Sequence, residues 1–350
     1  MKLNADCKPF GIGSLPYTSA SEAWNKVLEF FPQIPFWPQL SKRSYLENMY
    51  IQFSEGLPGL ELDLKNQRIF VNIETENQQE TEQFFNKYLS EDLDGFKVSR
   101  DYCEGIYSGL EIYKENTSSF GSMEFIKGQI TGPVSFGLQI IDQEQKPILY
   151  NEMYHDIVVK QLQRKARWQE KIISELNKNT IISVDEPYLS SLGSGFINLQ
   201  RDRVVQDIEA VFSELTGLKA MHCCGNIDWS IITDTSIDIL LFDAYDYLKN
   251  LLLFSSDIES FLDRGGILGW GIVPTTGEEL GKTNVKELLN KLEDGIDALE
   301  QKGINKAELL NNSLITPSCG LGNLSIEHAE LTMEYTKQIS FKIRDKYEMK

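Results

Sequence analysis

The sequence predicts a parallel α/β protein, a (β/α)8 TIM barrel with an insertion around residues 57–113, in a single domain spanning 1–350. Three observations carry that prediction. Short apolar segments recur, each ending in a Gly- or Pro-containing turn and followed by an amphipathic stretch, the alternation expected of a parallel sheet with crossover helices. Polar and special residues stand at the ends of those segments: Ser14, Thr131, Asp185, His222, Asp243, Gly271 and Cys319. A barrel gathers such strand ends on one face, whereas an open sheet would string them along an edge. No GxGxxG is present to favour a dinucleotide-binding sheet.

The expected strands are residues 10–14, 125–131, 181–185, 219–222, 239–243, 267–271 and 314–316. The first helix is expected over 21–31, capped by Ser19 or Ser21. A long helix is expected over 150–176, where Ile157, Leu162, Trp168, Ile172 and Leu176 recur at roughly helical spacing. Residues 202–215 and 285–299 are further helices. Residues 57–113 fit the alternation less well; 69–73 and 106–113 read as extra strands of a hairpin insertion.

Composition bounds the function. Hydrophobic residues make up 41% of the 350 and charged residues 25%, which excludes a disordered chain. With 34 basic and 52 acidic residues the net charge is −18, a surface that repels phosphate, so neither nucleic acid nor an anionic membrane is an expected partner. No apolar run approaches the ~20 residues of a membrane span, and the first ten residues lack the basic start and apolar stretch of a secretory signal. The 5 cysteines are odd in number and scattered apart from Cys223–Cys224, which fits a reducing cytoplasm rather than a disulfide framework.

Only 3 histidines occur, and one, His222, lies in Met221-His222-Cys223-Cys224-Gly225-Asn226 directly after an apolar segment. If the strand persists, its period of two puts His222 and Cys224 on one face, an imidazole and a thiolate together as zinc requires. Cys319, in Thr316-Pro317-Ser318-Cys319-Gly320, offers a second thiolate at another strand end. Three protein ligands leave a fourth position open, the signature of catalytic zinc. Cys223 is expected to face the wall, and Cys7 and Cys103 to be bystanders. A lone cysteine or histidine is more often a buried structural residue; the grouping distinguishes these. Asp243 is either a fourth ligand or a helix cap that supports the site. Asp185 and Glu186, before Pro187, could hold a substrate amine or work as acid and base; alone they would read as a capped turn.

Together these pieces resemble the cobalamin-independent methionine synthase family, within the larger group that includes uroporphyrinogen decarboxylase. Ile12-Gly13-Ser14-Leu15-Pro16 is similar to that family's IGSxP strand end. Glu47-Asn48-Met49 followed by Phe53-Ser54-Glu55-Gly56-Leu57-Pro58-Gly59 resembles its NDM and FxExLxG segments. Thr131-Gly132-Pro133-Val134 matches TGPV, Asp185-Glu186-Pro187 matches DEP, His222 and Cys224 match H-x-C, and Pro317-Ser318-Cys319-Gly320-Leu321 resembles PDCGL. The resemblance covers most of the chain and implies a zinc-dependent thiol methyltransferase. His222, Cys224, Cys319 and, by position, Asp243 would be the metal ligands. Asp185 would hold the amine of homocysteine and act catalytically, and Ser14 would lie near its carboxylate. Glu186, Asn48 and Thr131 would line the substrate site.

The departures from the family are informative. Its full-length members have two barrels, and this chain has room for the catalytic one. Thr276 falls where the family's acid histidine stands, Gln139 replaces the tryptophan that packs on the pterin, and Tyr45 replaces a glutamate at the homocysteine amine. The missing acid favours a methylated corrinoid, free or carried on a corrinoid protein as partner, over a methyl-folate as donor, because cob(I)alamin leaves without prior protonation. The alternatives are a metal-free uroporphyrinogen decarboxylase-like enzyme and a non-catalytic barrel that binds a thiol or a corrinoid.

Overall fold

A computed structural model describes residues 2–73, 78–192 and 199–349. The strands are β1 (Lys8–Pro9), β2 (Leu60–Asp63), β3 (Arg68–Val71), β4 (Ile126–Thr131), β5 (Ile141–Asp142), β6 (Thr180–Asp185), β7 (Leu218–Cys223), β8 (Ile239–Phe242), β9 (Ile267–Val273) and β10 (Ser313–Pro317). Seven of them make one parallel sheet in the order β1-β10-β9-β8-β7-β6-β4. Helices lie between successive strands, including Glu152–Ile173, Arg201–Phe212, Ala244–Leu251 and Val285–Glu300, and Ile326–Lys346 follows β10.

The sheet's outer strands, β4 and β1, are joined through residues 35–39. Isolated parallel bridges link Ser14 to Gln39 and Phe36 to Lys127. The Gln39 amide donates to the Gly13 carbonyl at 3.0 Å and the Lys127 amide to the Pro35 carbonyl at 2.9 Å. Side chains reinforce the join: Lys127 Nζ donates to the Ile12 carbonyl, and Gln129 Nε2 to the Trp37 carbonyl at 3.1 Å.

Alternation along the strands separates two apolar clusters. Phe10, Ile12, Ile181, Leu218, Ala220, Ile239, Leu241 and Leu314 share a small one. Met221, Cys223, Leu240 and Phe242 point to the other face, into the large core beneath the helices. Strand-end residues in phase with the small cluster, such as Ser14, Asp185, His222 and Asp243, therefore continue its face.

Local chemistry explains the helix starts. Ser19 rather than Ser21 caps Ala20–Phe30, its hydroxyl accepting from the Glu22 amide. Asn151 caps Glu152–Ile173 through the amides of Met153 and Tyr154, and that helix buries Ile157, Leu162 and Trp168. The insertion differs from expectation. β2 and β3 form an antiparallel hairpin, which β5 joins in a separate three-stranded sheet. Residues 106–113, read as a strand, lie in the helix Glu104–Glu115. Their Ile and Tyr content suggests a strand, but Ile106 and Leu110 are four residues apart and both buried on one helical face. Gly109 on the same helix lets the Trp24 ring come so close that a Cβ there would sit 2.4 Å from it. Among the described residues no helix is long and apolar enough to cross a membrane.

Candidate metal and thiol site

The C-terminal ends of β6 and β7 lie side by side, with Asp185 in register with His222. Cys224 continues from β7, and Cys319 arrives from the turn after β10. The ligand atoms of His222, Cys224 and Cys319 all lie within 4.8 Å of one another. His222 is 5% exposed, yet neither ring nitrogen has a hydrogen-bond partner. Leaving both nitrogens of a buried imidazole unpaired is unfavourable, and a metal ion would satisfy one of them. The donor set, two thiols and an imidazole, is chemically apt for zinc. The Cys319 thiol beside it holds Cys224 well below the usual thiol range; burial opposes this and His222 assists it. The same contact pushes Cys319 up. Of the remaining cysteines, Cys223 faces the large core, while Cys7 and Cys103 are buried with their thiols on backbone carbonyls.

A cavity of about 290 Å³ opens against this cluster. His222, Cys224, Cys319 and Asp185 line it together with Ser14, Asn48, Gly320 and Gly322. Asp185 accepts a hydrogen bond from Ser183 Oγ at 2.8 Å. Burial raises its carboxyl above the usual range, against the opposing pull of Lys127. Ser14 Oγ accepts from the Gly322 amide at 3.2 Å, and the Ser14 carbonyl accepts from Leu321. A Cβ on Gly320 would fall 2.2 Å from Ser14 Oγ, so the turn carrying Cys319 approaches Ser14 this closely because glycine stands there.

Two expected residues act differently from the sequence expectation, and a third takes one of the two roles open to it. Glu186 does not face the cavity: its carboxylate accepts from the amides of Val134 and Ser135, both at 2.8 Å, and from Ser135 Oγ at 2.6 Å. It caps the helix Pro133–Gln139, whose first amides have no other side-chain acceptor. Thr131 is buried, and its hydroxyl donates to the Met49 carbonyl at 2.6 Å, supporting the segment that carries Asn48 instead of lining the cavity. Asp243 lies outside the three-donor group. Its Oδ1 caps Ala244–Leu251 through the Asp246 amide at 2.9 Å, and burial pushes the carboxyl up to about 7. It lines a second cavity of about 190 Å³, which Cys224 and Cys319 also border. Thr276, on that cavity, caps Gly277–Leu280. The His328 ring packs against Gly277 but lines neither cavity.

The sequence reading missed Tyr50, Gln39 and Lys127. Tyr50 and Gln39 line the larger cavity. Lys127 is a fully buried ammonium near the start of β4, pushed down to about 8 by burial. A lysine inside an apolar strand was a visible signal; nothing in the residues around Tyr50 marks it as facing the site.

No family model matches the chain. A methionine synthase from Methanocaldococcus jannaschii is 28% identical over 208 residues, covering 58% of this chain. The chain spans 60% of that archaeal protein's length. Two solved structures share its fold. A putative vitamin-B12 independent methionine synthase from Listeria monocytogenes has a TM-score of 0.58 at 13% identity, over 96% of this chain and 98% of that one. A B12-independent methionine synthase from Shewanella sp. W3-18-1, in complex with selenomethionine, has a TM-score of 0.50 at 14% identity, over 69% and 67%.

Proposed function

We propose that this chain is a methyltransferase that moves a methyl group to the thiol of homocysteine, giving methionine, at a zinc ion held by His222, Cys224 and Cys319. One observation carries the reading: two thiols and a buried, partnerless imidazole converge on a cavity that Asp185 and Ser14 also line. The similarity to a methionine synthase supports it. We further read residues 1–350 as one barrel, with residues 35–39 as the stave that closes the sheet.

A zinc ion there would lower the pKa of an incoming thiol so that it reacts as a thiolate near neutral pH. The chain's own groups do the rest. Asp185 offers its carboxylate to the substrate amine, and Ser14, Gly320 and Gly322 complete the lining of the cavity. The cavity fixes the sulfur beside the thiol pair, so that methyl transfer proceeds from an oriented complex. Asp243 borders the metal cluster from the second cavity and supports it as a cap. Thr276 caps a helix start, and its alcohol is far too weak an acid to protonate a leaving group at neutral pH. That favours a donor whose leaving group departs unprotonated, a methylated corrinoid, over a methyl-folate. The names of the two solved neighbours describe those proteins as independent of B12 and favour the folate.

The test pairs metal content with turnover. Elemental analysis should find zinc in the wild type and little in Cys319→Ser. Homocysteine with methylcobalamin or with methyltetrahydrofolate should yield methionine from one donor, and that donor is thereby identified. Full zinc and full activity in Cys319→Ser, or no methionine from either donor, would refute the reading. A folded, zinc-free protein that decarboxylates a tetrapyrrole acid would replace it.

A further inference from the structure

We propose that the phenol of Tyr50 donates a hydrogen bond to the sulfur of the acceptor thiol, making Tyr50 a substrate-contacting residue that selects for sulfur. The proposal rests on the thiol-acceptor reading above and goes beyond it by naming the protein group that touches the sulfur.

Tyr50 lines the cavity together with Cys224, Cys319 and Asp185. The described residues offer its hydroxyl no hydrogen-bond partner. Several neighbouring polar groups are already engaged: Gln39 donates to Gln52, Asn48 Oδ1 accepts from the Tyr50 amide, and the Tyr188 hydroxyl donates to Gln139. The Tyr50 phenol is thus a donor awaiting an acceptor on the cavity that Cys224 and Cys319 also line.

Its position is fixed in advance. The Tyr50 amide is tied to Asn48 at 3.0 Å, and the preceding carbonyl, that of Met49, is tied to Thr131 at 2.6 Å. The ring packs against Tyr188, centroids 6.2 Å apart. Burial, with Tyr188, Glu186 and the thiols of Cys224 and Cys319 nearby, pushes the phenol up, so it keeps its proton at the pH where the substrate would be a thiolate. A held donor facing a charged acceptor is the arrangement in which one hydrogen bond contributes most. A thioether is a weak acceptor, so the methylated product would lose this contact.

The experiment compares homocysteine with 2-aminopentanoate, which has a methyl group where homocysteine has its thiol, by calorimetric titration of wild type and Tyr50→Phe. Tyr50→Phe should bind homocysteine about ten- to a hundredfold more weakly and 2-aminopentanoate unchanged. Tyr188→Phe, whose hydroxyl is turned to Gln139, should leave the preference for sulfur intact. Equal weakening of both ligands in Tyr50→Phe would mean a structural role and overturn the proposal, as would no change in either. A wild type that binds homocysteine well but shows no Tyr50 effect overturns this proposal alone. A wild type indifferent to sulfur overturns the thiol-acceptor reading and this proposal with it.

Discussion

Gly132→Ala is a small change that the structure predicts to be severe. Gly132 has φ −75° and ψ 162°, backbone angles alanine adopts freely, so no conformational strain enters. The added Cβ would meet the Glu186 side chain at 2.2 Å from Oε1, 2.3 Å from Cδ and 2.4 Å from Cγ. Carbon contacts are comfortable only beyond about 3.5 Å, so the carboxyl must withdraw by roughly 1 Å. That distance breaks contacts now at 2.6 to 2.8 Å with Ser135 and Val134. Losing two of these three bonds to a charged group, at about 1.5–3 kcal/mol each, gives a destabilisation of about 3–6 kcal/mol. Burial pushes Glu186 up to about 7, so the measurement belongs at pH 8, where the group is ionised. Urea unfolding of wild type, Gly132→Ala, Glu186→Ala and the double variant gives the coupling. In the Glu186→Ala background the clashing atoms are gone, and adding Gly132→Ala should cost less than about 1 kcal/mol. An equal cost in the two backgrounds would refute the reasoning, as would a cost below about 1 kcal/mol in the wild type.

Other expectations follow from the same geometry. Asp243→Asn preserves the helix cap, so thermal stability should hold to within about 0.5 kcal/mol; elemental analysis of that variant then decides whether the carboxylate holds metal. Saturating zinc at about 1,000 times its dissociation constant should stabilise the protein by about 4 kcal/mol, an upward shift in melting temperature that His222→Ala should abolish. Thr131→Val removes the hydroxyl bond to Met49 and should cost about 1 kcal/mol while weakening homocysteine binding, because that bond supports the segment carrying Asn48 and Tyr50. Lys165 is fully buried and pushed down to about 8 by burial, whereas the unfolded chain keeps that proton up to 10.5. Its contribution to wild-type stability therefore rises with pH between those values, by up to ~3 kcal/mol. Lys165→Met should lack that rise in denaturant titrations run from pH 7 to 10.5; parallel pH curves for the two proteins would contradict the assignment.

Much of this architecture was legible in the residues because strand alternation has a simple signature. The apolar segments before Asp185, His222 and Asp243 became β6, β7 and β8 within a residue or two. The same period of two correctly separated Cys224 from Cys223. What could not be read was the direction of groups just past a strand end. Asp185 and Glu186 are adjacent acids before a proline, yet one borders the cavity and the other reaches back to cap a helix. That difference depends on where the first turn of Pro133–Gln139 lies in space, which local pattern does not encode. Residues 106–113 failed for a related reason: Ile and Tyr suit either element, and the glycines that let this helix pack close to Trp24 and Pro38 read locally as breakers. The short first strand was also obscured, since only Lys8–Pro9 pairs continuously while Ser14 makes an isolated bridge.

The join at residues 35–39 makes the sheet mechanically uneven. From β6 to β10, continuous ladders hold neighbouring strands; at the join, two single bridges and the side chains of Lys127 and Gln129 do so. Amide hydrogen exchange should therefore be faster at residues 35–39 than in β7 and β8, with local opening beginning at the join. Ser14 lies on this weak line and Asp185 beyond β4 from it, and both border the larger cavity. An amino acid held between them would span the join and fasten it, so substrate should slow exchange at residues 35–39 even though Gln39 is the one member of that segment bordering the cavity.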